Sequence, residues 1–329
     1  MKVAVFSCKP YDKRTLNTYI EKTSLNMTFF ESRLSMETIS LVTGFDAVSC
    51  FVNDDVNAEV IQHLKQQGVN LIALRCAGFN NVDLEAAKAQ GIKVFHVPDY
   101  SPTSVAEHAV ALIMTLNRKT HRAYHRVKEG NFALEGLLGF NLEGKTVGCI
   151  GTGRIGSAFC RIMKGFGCEV LCYDLHPSQD LIDQGCQYIT LDELYQRSDI
   201  ISLHCPLNAS THHLIGKDSL NKMKDGVMII NTSRGALVHA QEAIDALYTG
   251  KIGYLGLDVY EQENKIFFED MSSHIIQDSV FQLMLTFPNV VVTGHQGYFT
   301  DEALNHIAET TVDNLLHHQS DSSGTRQLA

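Results

Sequence analysis

The 329-residue chain has a formal net charge of -10 at pH 7, with 27 lysines and arginines against 37 aspartates and glutamates. Because acids are in excess and neither end carries a basic run, nucleic acid and anionic membrane surfaces are excluded as expected partners. At roughly 150 residues per domain, the length predicts two domains, each large enough to bury its own core.

The N-terminal sequence predicts a strand and no targeting segment. Its apolar run, Val3–Phe6, is too short for the core of a secretory signal. No later stretch approaches the roughly 20 apolar residues that a membrane span requires. The nine cysteines are odd in number and form no CxxC pair, which favours reduced thiols over disulfides or a zinc site. We therefore expect a cytoplasmic protein.

Apolar runs alternate with helical patterns from the start of the chain. Residues 3–7, 47–52 and 70–74 have the composition of strands. Residues 58–67 and 84–90 have the spacing of the helices between them. This βαβ series predicts a parallel sheet.

A long helix is predicted to begin at Ser101-Pro102, because proline suits the first helical turn and apolar residues then recur on one face. This helix would carry the chain into a second domain with six strands. The six are predicted at residues 147–150, 170–173, 200–204, 227–231, 256–259 and 290–293. Six parallel strands with crossover helices form a complete dinucleotide-binding sheet.

The helical pattern after Asp301 is expected to return to the first domain, while the Ser- and Gln-rich tail from His317 is expected to be loose. The predicted fold class is therefore α/β with two doubly wound parallel sheets. A Rossmann nucleotide-binding domain, residues 101–298, is inserted in a discontinuous flavodoxin-like substrate domain made of residues 1–100 and 299–329.

A dinucleotide fingerprint, Gly151-Thr-Gly153-Arg-Ile-Gly156, lies directly after one predicted strand and directly before a helical pattern that spans residues 157–167. The glycines permit a tight turn and let a pyrophosphate approach amide groups at the helix N-terminus. Asp174 follows Gly156 by 18 residues, at the end of the next predicted strand. Because Asp174 would bond both ribose hydroxyls and repel a 2'-phosphate, the sequence favours NAD over NADP.

Three residues after later strands carry the groups that reduction of a 2-keto acid needs: Arg234 in NTSRGAL, Glu263 in DVYEQE and His295 in TGHQGY. A guanidinium binds a carboxylate through two parallel hydrogen bonds, which lysine cannot reproduce. An imidazolium lowers the barrier by donating to the carbonyl oxygen, on which negative charge develops as hydride arrives. A neighbouring carboxylate stabilises the protonated imidazole.

These motifs, together with His204-Cys-Pro206, resemble those of the D-isomer-specific 2-hydroxyacid dehydrogenases. The segments LRCAGFNNVD at 74–83, AEH at 106–108 and FFED at 267–270 resemble the fermentative D-lactate dehydrogenases within that family. The similarity extends to about His317. It implies interconversion of pyruvate and D-lactate by a homodimer or homotetramer that associates through the nucleotide domain.

In that family Arg234 would bind the substrate carboxylate, His295 would donate and accept the proton, and Glu263 would orient His295. The resemblance further implies cofactor contacts from the fingerprint, from the loops after the later strands and from Asp174. They are Gly151, Gly153, Arg154, Ile155, Gly156, Asp174, His204, Cys205, Pro206, Thr211, Thr232, Ser233, Arg234 and Asp258. Thr211 departs from the Asn that relatives often carry there.

Substrate contacts are expected from the backbone amides of Ala77 and Gly78, again by resemblance, and from the rings of Tyr100 and Tyr298. An aromatic wall, with Phe51 behind it, leaves little room beyond a methyl group and so favours pyruvate. The alternative for these three rings is simple core packing.

Two further residues allow a structural as well as a functional interpretation. His204 is either a structural hydrogen-bonding group at a strand end or a cofactor contact. Asp258 is either a helix cap or a cofactor contact.

The histidine pairs do not predict a metal site. His121 and His125 have the i,i+4 spacing of metal ligands, but arginines flank them and no acid or cysteine completes a site. The pairs His212-His213 and His317-His318 have no evident partner in the sequence. We therefore expect no metal.

There are three alternative functions, and particular residues argue against two of them. A relative acting on hydroxypyruvate or a bulkier 2-keto acid stays open. A formate dehydrogenase of the same superfamily is disfavoured, because those enzymes pair the histidine with Gln where this chain has Glu263. A non-catalytic NAD-sensing protein, like the superfamily's corepressors, is disfavoured by the intact trio of Arg234, Glu263 and His295.

Overall fold

The structure, a computed structural model, describes residues 1–263, 266–318 and 326–329. Within these residues the chain divides into two units, Met1–Ser101 with Tyr298–Ala329, and Pro102–Gly297. The first unit is discontinuous, because the second is inserted after Ser101. The assignment of the discontinuous unit to the substrate stays a prediction.

Twelve strands occur in the described residues, and all of them pair in parallel within one of two sheets. In chain order they are β1 Lys2–Val5, β2 Asn26–Phe29, β3 Ala47–Cys50, β4 Leu71–Leu74, β5 Lys93–Phe95, β6 Thr146–Ile150, β7 Glu169–Tyr173, β8 Gln187–Tyr188, β9 Ile200–Leu203, β10 Val227–Asn231, β11 Ile252–Leu257 and β12 Val290–Val292.

The same residues contain twelve α-helices, with short 3-10 turns at Ile39–Val42 and Gly235–Leu237. The helices are α1 Pro10–Ile20, α2 Ala58–Gln66, α3 Leu84–Ala89, α4 Pro102–Arg118, α5 Thr120–Lys128, α6 Arg154–Gly165, α7 Gln179–Asp183, α8 Leu191–Arg197, α9 Lys217–Lys222, α10 Ala240–Tyr248, α11 Ser279–Thr286 and α12 Asp301–His317.

The first unit has the strand order β2-β1-β3-β4-β5, which is the flavodoxin-like order that was predicted. The strands β3 and β4 are buried along their whole length, so their apolar runs are evident in the sequence. The strands β2 and β5 were not predicted, because β2 is only half buried and β5 has three residues. The helix α12 packs against α1 and β4, which confirms that the last helix returns to the first unit.

Arg75, directly after β4, is a charged group inside the first unit and is only 1% exposed. Its guanidinium donates to the carbonyl oxygens of Phe6 at 2.7 Å and Ser49 at 3.1 Å. Burial alone would lower the pKa of Arg75, but the nearby carboxylates of Asp12 and Asp54 outweigh it and raise the pKa. The buried side chain is therefore held as a cation by acceptors directly after β1 and on β3.

The second unit has the order β12-β11-β10-β9-β6-β7-β8, a Rossmann arrangement with one strand more than the six predicted. The additional strand β8 has two residues, too few to produce an alternating pattern. Its Tyr188 hydroxyl donates to the Thr152 hydroxyl at 2.8 Å and accepts from the Ser178 amide at 2.9 Å. The strand therefore supports the turn that contains the fingerprint.

Two element boundaries differ from the sequence prediction in ways that affect the site. Helix α6 begins at Arg154 and not at 157, because Gly153 is its N-cap and the last fingerprint residues form its first turn. Strand β11 begins at Ile252 and not at 256, since its first residues alternate less regularly between buried and half-buried positions. The other predicted elements agree with the observed ones within a few residues.

The prediction of a loose tail from His317 is wrong for residues 326–329. The amide of Val94 donates to the Ala329 carbonyl at 3.1 Å, and the Leu328 amide donates to the Val94 carbonyl at 2.8 Å. Gln327 forms an antiparallel bridge with Phe95. The edge strand β5 has unpaired backbone groups that the polar tail satisfies, a tertiary effect without a sequence signal. Residues 319–325 lie outside the described residues.

None of the described helices combines the length and the hydrophobicity needed to cross a bilayer. All nine cysteines are buried free thiols. Burial raises the pKa of Cys205, which follows β9, to about 11, so this thiol is protonated at neutral pH.

Candidate active site

The predicted site residues of the second unit follow the C-terminal ends of six strands. The fingerprint follows β6, Asp174 follows β7, and His204 follows β9. Arg234 and His295 follow β10 and β12, and Asp258 follows β11 between them. In parallel sheets these ends lie at one edge, and ligands bind where the strand order reverses, here between β6 and β9.

Two fingerprint glycines are required by close contacts of the backbone. A Cβ atom on Gly151, whose φ is +92°, would lie 2.5 Å from the amide nitrogen of Cys205. A Cβ atom on Gly156 would lie 1.9 Å from the carbonyl oxygen of Gly151. A side chain at Gly151 would push the turn away from the end of β9. A side chain at Gly156 would push α6 away from the end of β6.

The middle glycine of the fingerprint, Gly153, is not required by contacts within the protein. A Cβ atom there would have no atom within 4 Å, although Gly153 caps the N-terminus of α6. A cavity of about 510 Å³ lies at this point, lined by Pro102, Thr103, Thr152, Gly153, Arg154, Ser157, Ala158 and Arg161. The N-terminal amides and the positive dipole end of α6 suit a diphosphate. The site therefore fits the pyrophosphate of a dinucleotide.

The carboxylate of Asp174 is fixed by two backbone amides, from Thr152 at 2.6 Å and from His176 at 2.9 Å. Partial burial would raise the pKa of Asp174, but the hydrogen bonds from His176 and Thr152 outweigh it and lower the pKa. Each carboxylate oxygen retains capacity to accept a further hydrogen bond. The group is thus ionised and able to accept from two ribose hydroxyls.

The loop after β10 contains a buried hydroxyl that also suits a ligand. Thr232 is 7% exposed, and its hydroxyl has no hydrogen-bond partner among the described residues. A buried polar group without a partner is unfavourable, so a ligand atom here would stabilise the site. The neighbouring Ser233 hydroxyl instead donates to the Cys205 carbonyl at 2.7 Å and joins this loop to the one after β9.

The loop after β9 is closed by Thr211, the residue that departs from the family pattern. Its hydroxyl donates to the Pro206 carbonyl at 2.7 Å and accepts from the Asn208 amide at 2.9 Å. Its cofactor contact stays a prediction.

The side chain of His204 contacts neighbouring side chains within the protein. One ring nitrogen lies 2.9 Å from the Ser202 hydroxyl, and the ring packs on Phe159 with centroids 4.8 Å apart. Burial lowers the pKa of His204 to about 3, so its imidazole is neutral.

Arg234 is presented by a turn that the sequence predictions did not explain. The buried Asn231 donates through its side chain to the Arg234 carbonyl at 2.8 Å and accepts from the Ser233 amide at 3.0 Å. A Cβ atom on Gly235 would lie 2.1 Å from the Tyr260 carbonyl carbon, so this turn packs directly on the segment after β11. The half-buried Arg234 guanidinium donates to the Ser233 carbonyl at 2.8 Å and forms no ion pair within the described part of the chain.

His295 and Glu263 form a direct pair. The Nδ1 atom of His295 lies 2.8 Å from Oε1 of Glu263, and both side chains are largely buried, 18% and 14% exposed. The other oxygen, Oε2, accepts from the Tyr260 amide at 2.8 Å. Because an ionised carboxylate only accepts, the proton lies on Nδ1, and Nε2 is the ring atom available to a substrate.

The loop with His295 is held by Asp258. Its carboxylate accepts from the Gln296 amide at 2.9 Å, the Gly297 amide at 2.7 Å and the Thr293 hydroxyl at 2.5 Å. His108 on α4 lies 3.2 Å from the same carboxylate. Burial would raise the pKa of Asp258, but the hydrogen bonds and the charge of His108 lower it. The carboxylate therefore stays ionised.

This network favours a positioning function for Asp258 that the sequence did not suggest, and its contact with the cofactor stays a prediction. The backbone of His295 has a φ of +54°, which is uncommon for a residue other than glycine. Its amide donates to the Asp258 carbonyl at 2.8 Å. The bonds from Asp258 thus stabilise a strained backbone conformation.

Several residues of the site were missed from the sequence. Asn231 acts through its side-chain amide, Tyr260 through its backbone amide and Thr293 through its hydroxyl, and no spacing predicts these bonds. His108 lies in the AEH segment that contributed to the family resemblance, but its partner Asp258 is far along the chain. The ring of Phe268 lies 5.7 Å from that of His295, and the FFED segment was its only signal.

The remaining predicted substrate residues lie in the first unit. The backbone amides of Ala77 and Gly78 are not donors in any backbone hydrogen bond among the described residues. The Tyr298 ring, 8% exposed, packs near Tyr100 and Phe51, with centroids 6.1 and 6.3 Å away. These contacts are compatible with core packing as well as with a substrate wall, and the substrate contacts stay predictions.

Comparison with known proteins relates this geometry to a family. Residues 110–297 match the D-isomer specific 2-hydroxyacid dehydrogenase, NAD binding domain. The chain is 52% identical over 315 residues to the D-lactate dehydrogenase of Escherichia coli (strain K12), covering 96% of each protein.

Solved structures agree. The chain superimposes with a TM-score of 0.91 on the apo-structure of the Escherichia coli D-lactate dehydrogenase, at 48% identity and 100% coverage of both chains. With a D-lactate dehydrogenase from Aquifex aeolicus, complexed with NAD and lactic acid, the TM-score is 0.85 at 36% identity, covering 96% of this chain and 95% of that one.

These comparisons confirm the resemblance, the fold class and the nicotinamide cofactor inferred from the motifs. They also confirm that the chain is an oxidoreductase. The chain belongs to the D-isomer-specific 2-hydroxyacid dehydrogenase family.

Proposed function

We propose that this protein is an NAD-dependent D-lactate dehydrogenase, which interconverts pyruvate and D-lactate. The observation that carries the proposal is the 2.8 Å bond between Glu263 and His295, in a chain with the family's NAD-binding domain. This bond fixes the imidazole with one nitrogen free for a substrate oxygen. A protein that only senses NAD has no need of such an arrangement.

In pyruvate reduction, His295 acts as the acid. Its Nδ1–H is held by Glu263, so the proton passes from Nε2 to the substrate carbonyl oxygen. In D-lactate oxidation the same nitrogen accepts the hydroxyl proton. The carboxylate of Glu263 stabilises the imidazolium, and the Tyr260 amide keeps that carboxylate in place.

Arg234 binds the substrate carboxylate. It is half buried and has no carboxylate partner within the described residues, so its planar set of donors is available to an anionic ligand. Two parallel hydrogen bonds would fix the orientation of the carboxylate and therefore of the adjacent carbonyl group.

The cofactor is held by groups already in place. The amides of α6 would bind its pyrophosphate, Asp174 would bind the adenosine ribose and the Thr232 hydroxyl would contact its nicotinamide half. When bound, NADH supplies the hydride that is added to the carbonyl carbon. The other cofactor contacts, including Ser233, Cys205 and Pro206, stay predictions.

The proposal is tested by following NADH oxidation with pyruvate, 2-ketobutyrate, hydroxypyruvate and phenylpyruvate. We expect the highest kcat/KM with pyruvate, and reduction of NAD by D-lactate but not by L-lactate. A higher kcat/KM for hydroxypyruvate or phenylpyruvate would identify a related dehydrogenase instead. No turnover with any acid, together with intact NADH binding, would identify an NAD-sensing protein.

Asp174 is expected to determine the choice of cofactor. NADH should be used at least about tenfold better than NADPH, roughly 1.4 kcal/mol, because the Asp174 carboxylate repels a 2'-phosphate. Asp174→Ala should reduce that ratio, measured as kcat/KM for each nucleotide. Because Asp174 also accepts from Thr152 and His176, the melting temperature of the variant must be measured alongside. Equal use of both nucleotides by the unmodified protein, called the parent below, would show that Asp174 does not select the nucleotide.

The rings of Tyr100 and Tyr298 are predicted to limit the size of the substrate side chain. Tyr100→Ala or Tyr298→Ala should raise kcat/KM for phenylpyruvate relative to pyruvate, since removal of a ring makes space. Phe45→Ala is a control, because this ring contacts Phe30 in the same unit and is assigned no substrate contact. If both tyrosine variants keep the parent's preference, the rings belong to the core.

We further propose a cytoplasmic homo-oligomer, a dimer or a tetramer. Five exposed large apolar side chains of the second unit lie close together in the sequence, within residues 124–138, which supports association through this segment. They are Tyr124, Val127, Phe132, Leu134 and Leu138. Sedimentation equilibrium measures the number of subunits, and a monomer at micromolar concentration would contradict the proposal. The nine buried free thiols support a reducing compartment.

A further inference from the structure

A cluster of metal-ligating side chains lies outside the catalytic groups, where the loop after β9 meets the segment after β11. The Nε2 atom of His213 lies 2.6 Å from Oε1 of Glu261. The ring of His212 lies against that of His213, with the centroids 3.8 Å apart and the ring planes tilted by 37°. One ligand atom from each of these three residues lies within 4.8 Å of the other two. The expectation that His212-His213 has no partner is therefore wrong. The same expectation is wrong for His317-His318, because Nδ1 of His317 lies 2.8 Å from Oδ1 of Asp313.

The separation of these atoms is close to that of a coordination site. Imidazole nitrogen and carboxylate oxygen bind Zn²⁺ at about 2.0–2.2 Å, which places tetrahedral ligands about 3.4 Å apart. Because His212 is exposed and His213 is half-buried, an adjustment of these side chains on ion binding would not require movement of the core. The ion would take the position of the proton between His213 and Glu261.

The backbone holds His213 in an unusual conformation at this point. Its φ is +53°, a left-handed value that is uncommon for a residue other than glycine. The conformation is fixed by its amide, which donates to the Ala236 carbonyl at 2.8 Å, and by a bridge between Ile215 and Val238. Glu261 is fixed from the other side, since its second oxygen accepts from the Ala240 amide at 3.4 Å.

We propose that His212, His213 and Glu261 form a binding site for a divalent transition-metal ion such as Zn²⁺, with water completing the coordination. Two imidazoles and one carboxylate suit zinc and its neighbours in the first transition row better than Mg²⁺ or Ca²⁺. The proposal reverses the sequence-based expectation that no metal is bound. It does not depend on the substrate assigned above.

The position of Glu261 connects this site to the catalytic segment. Glu261 follows Tyr260, whose amide bonds Glu263, and the backbone at Tyr260 contacts Gly235 beside Arg234. An ion bound at Glu261 would therefore restrain the segment that positions both groups. The site is a candidate for metal-dependent control of the enzyme.

The test is calorimetric titration of the protein, free of any histidine tag, with ZnCl₂. We expect one ion per chain at this site and a rise in melting temperature at saturating Zn²⁺. His212→Asn and Glu261→Gln should each weaken binding at least about tenfold. His212→Asn is the safer variant, because this exposed ring is not an ion-pair partner of Glu261 in the structure.

The control is the double variant His317→Asn, His318→Asn, which removes the chain's other adjacent histidine pair and should bind as the parent does. Co²⁺ spectra identify the ligands, since thiolate coordination gives a charge-transfer band that imidazole and carboxylate do not. Absence of stoichiometric binding to the parent, unchanged affinity in both site variants, or a thiolate band would overturn the proposal. Mg²⁺ at the same concentration should produce no comparable shift.

Discussion

Replacement of His295 by Asn is expected to lower kcat/KM for pyruvate by roughly 10² to 10⁴-fold at every pH, because general acid catalysis is lost. Asn keeps a polar group of similar reach, and it tolerates the left-handed backbone that His295 adopts. The variant should therefore fold. NADH affinity, measured by fluorescence, should remain near that of the parent, since His295 is not proposed to hold the nucleotide.

His213→Asn is a matched control for this substitution. His213 also has a left-handed backbone and also bonds a glutamate, so the variant repeats the structural change without removing the proposed acid. It should retain most of the activity when assayed with a chelator present. Full activity of His295→Asn would overturn the mechanism, whereas a large loss in both variants would point to a general structural effect.

Glu263→Gln adds a second readout for the same proton transfer. The amide keeps the shape of the side chain but removes the charge that stabilises the imidazolium. The fall of kcat/KM with rising pH should therefore move to lower pH. A profile that superimposes on the parent's would show that Glu263 does not act through His295.

Replacement of Arg234 by Lys is expected to lower kcat/KM for pyruvate by at least ~10²-fold, or about 2.7 kcal/mol. Lysine keeps the charge but not the planar arrangement of donors that orients a carboxylate. The loss should appear in steady-state kinetics with pyruvate, while NADH binding changes little. Arg197→Lys is the control, because Arg197 forms an exposed ion pair with Glu169, and surface pairs contribute little. An unchanged KM and kcat would remove Arg234 from the site.

The parts of the fold that the sequence predicted are those with strong local signals. Strands β3 and β4 are buried on both faces, so their sequences are almost entirely apolar, interrupted only by Ser49. The fingerprint required close packing that only glycine permits at Gly151 and Gly156. Strand β8 and residues 326–329 lacked such signals. Their positions depend on hydrogen bonds to Thr152 and Val94, which belong to distant segments.

The candidate site divides in the same way. Arg234, Glu263 and His295 were predicted, because each lies in a motif with a recognisable chemical function. The groups that position them were not, since a motif does not report its distant contacts. His108 meets Asp258 across 150 residues of sequence, and His213 meets Glu261 across 48. Such pairs are established only when the sheet brings the strand ends together.

The strand order of the second unit places the proposed determinants of nucleotide specificity and of substrate binding on separate loops. Asp174 follows β7 and Arg234 follows β10, with β6 and β9 between them. At about 4.8 Å per strand, the two loops begin roughly 14 Å apart. Groups at this distance without shared partners contribute nearly additive free energies. A descendant of this chain is therefore able to change its nucleotide specificity without altering its substrate specificity, or the reverse. The two specificities can evolve independently.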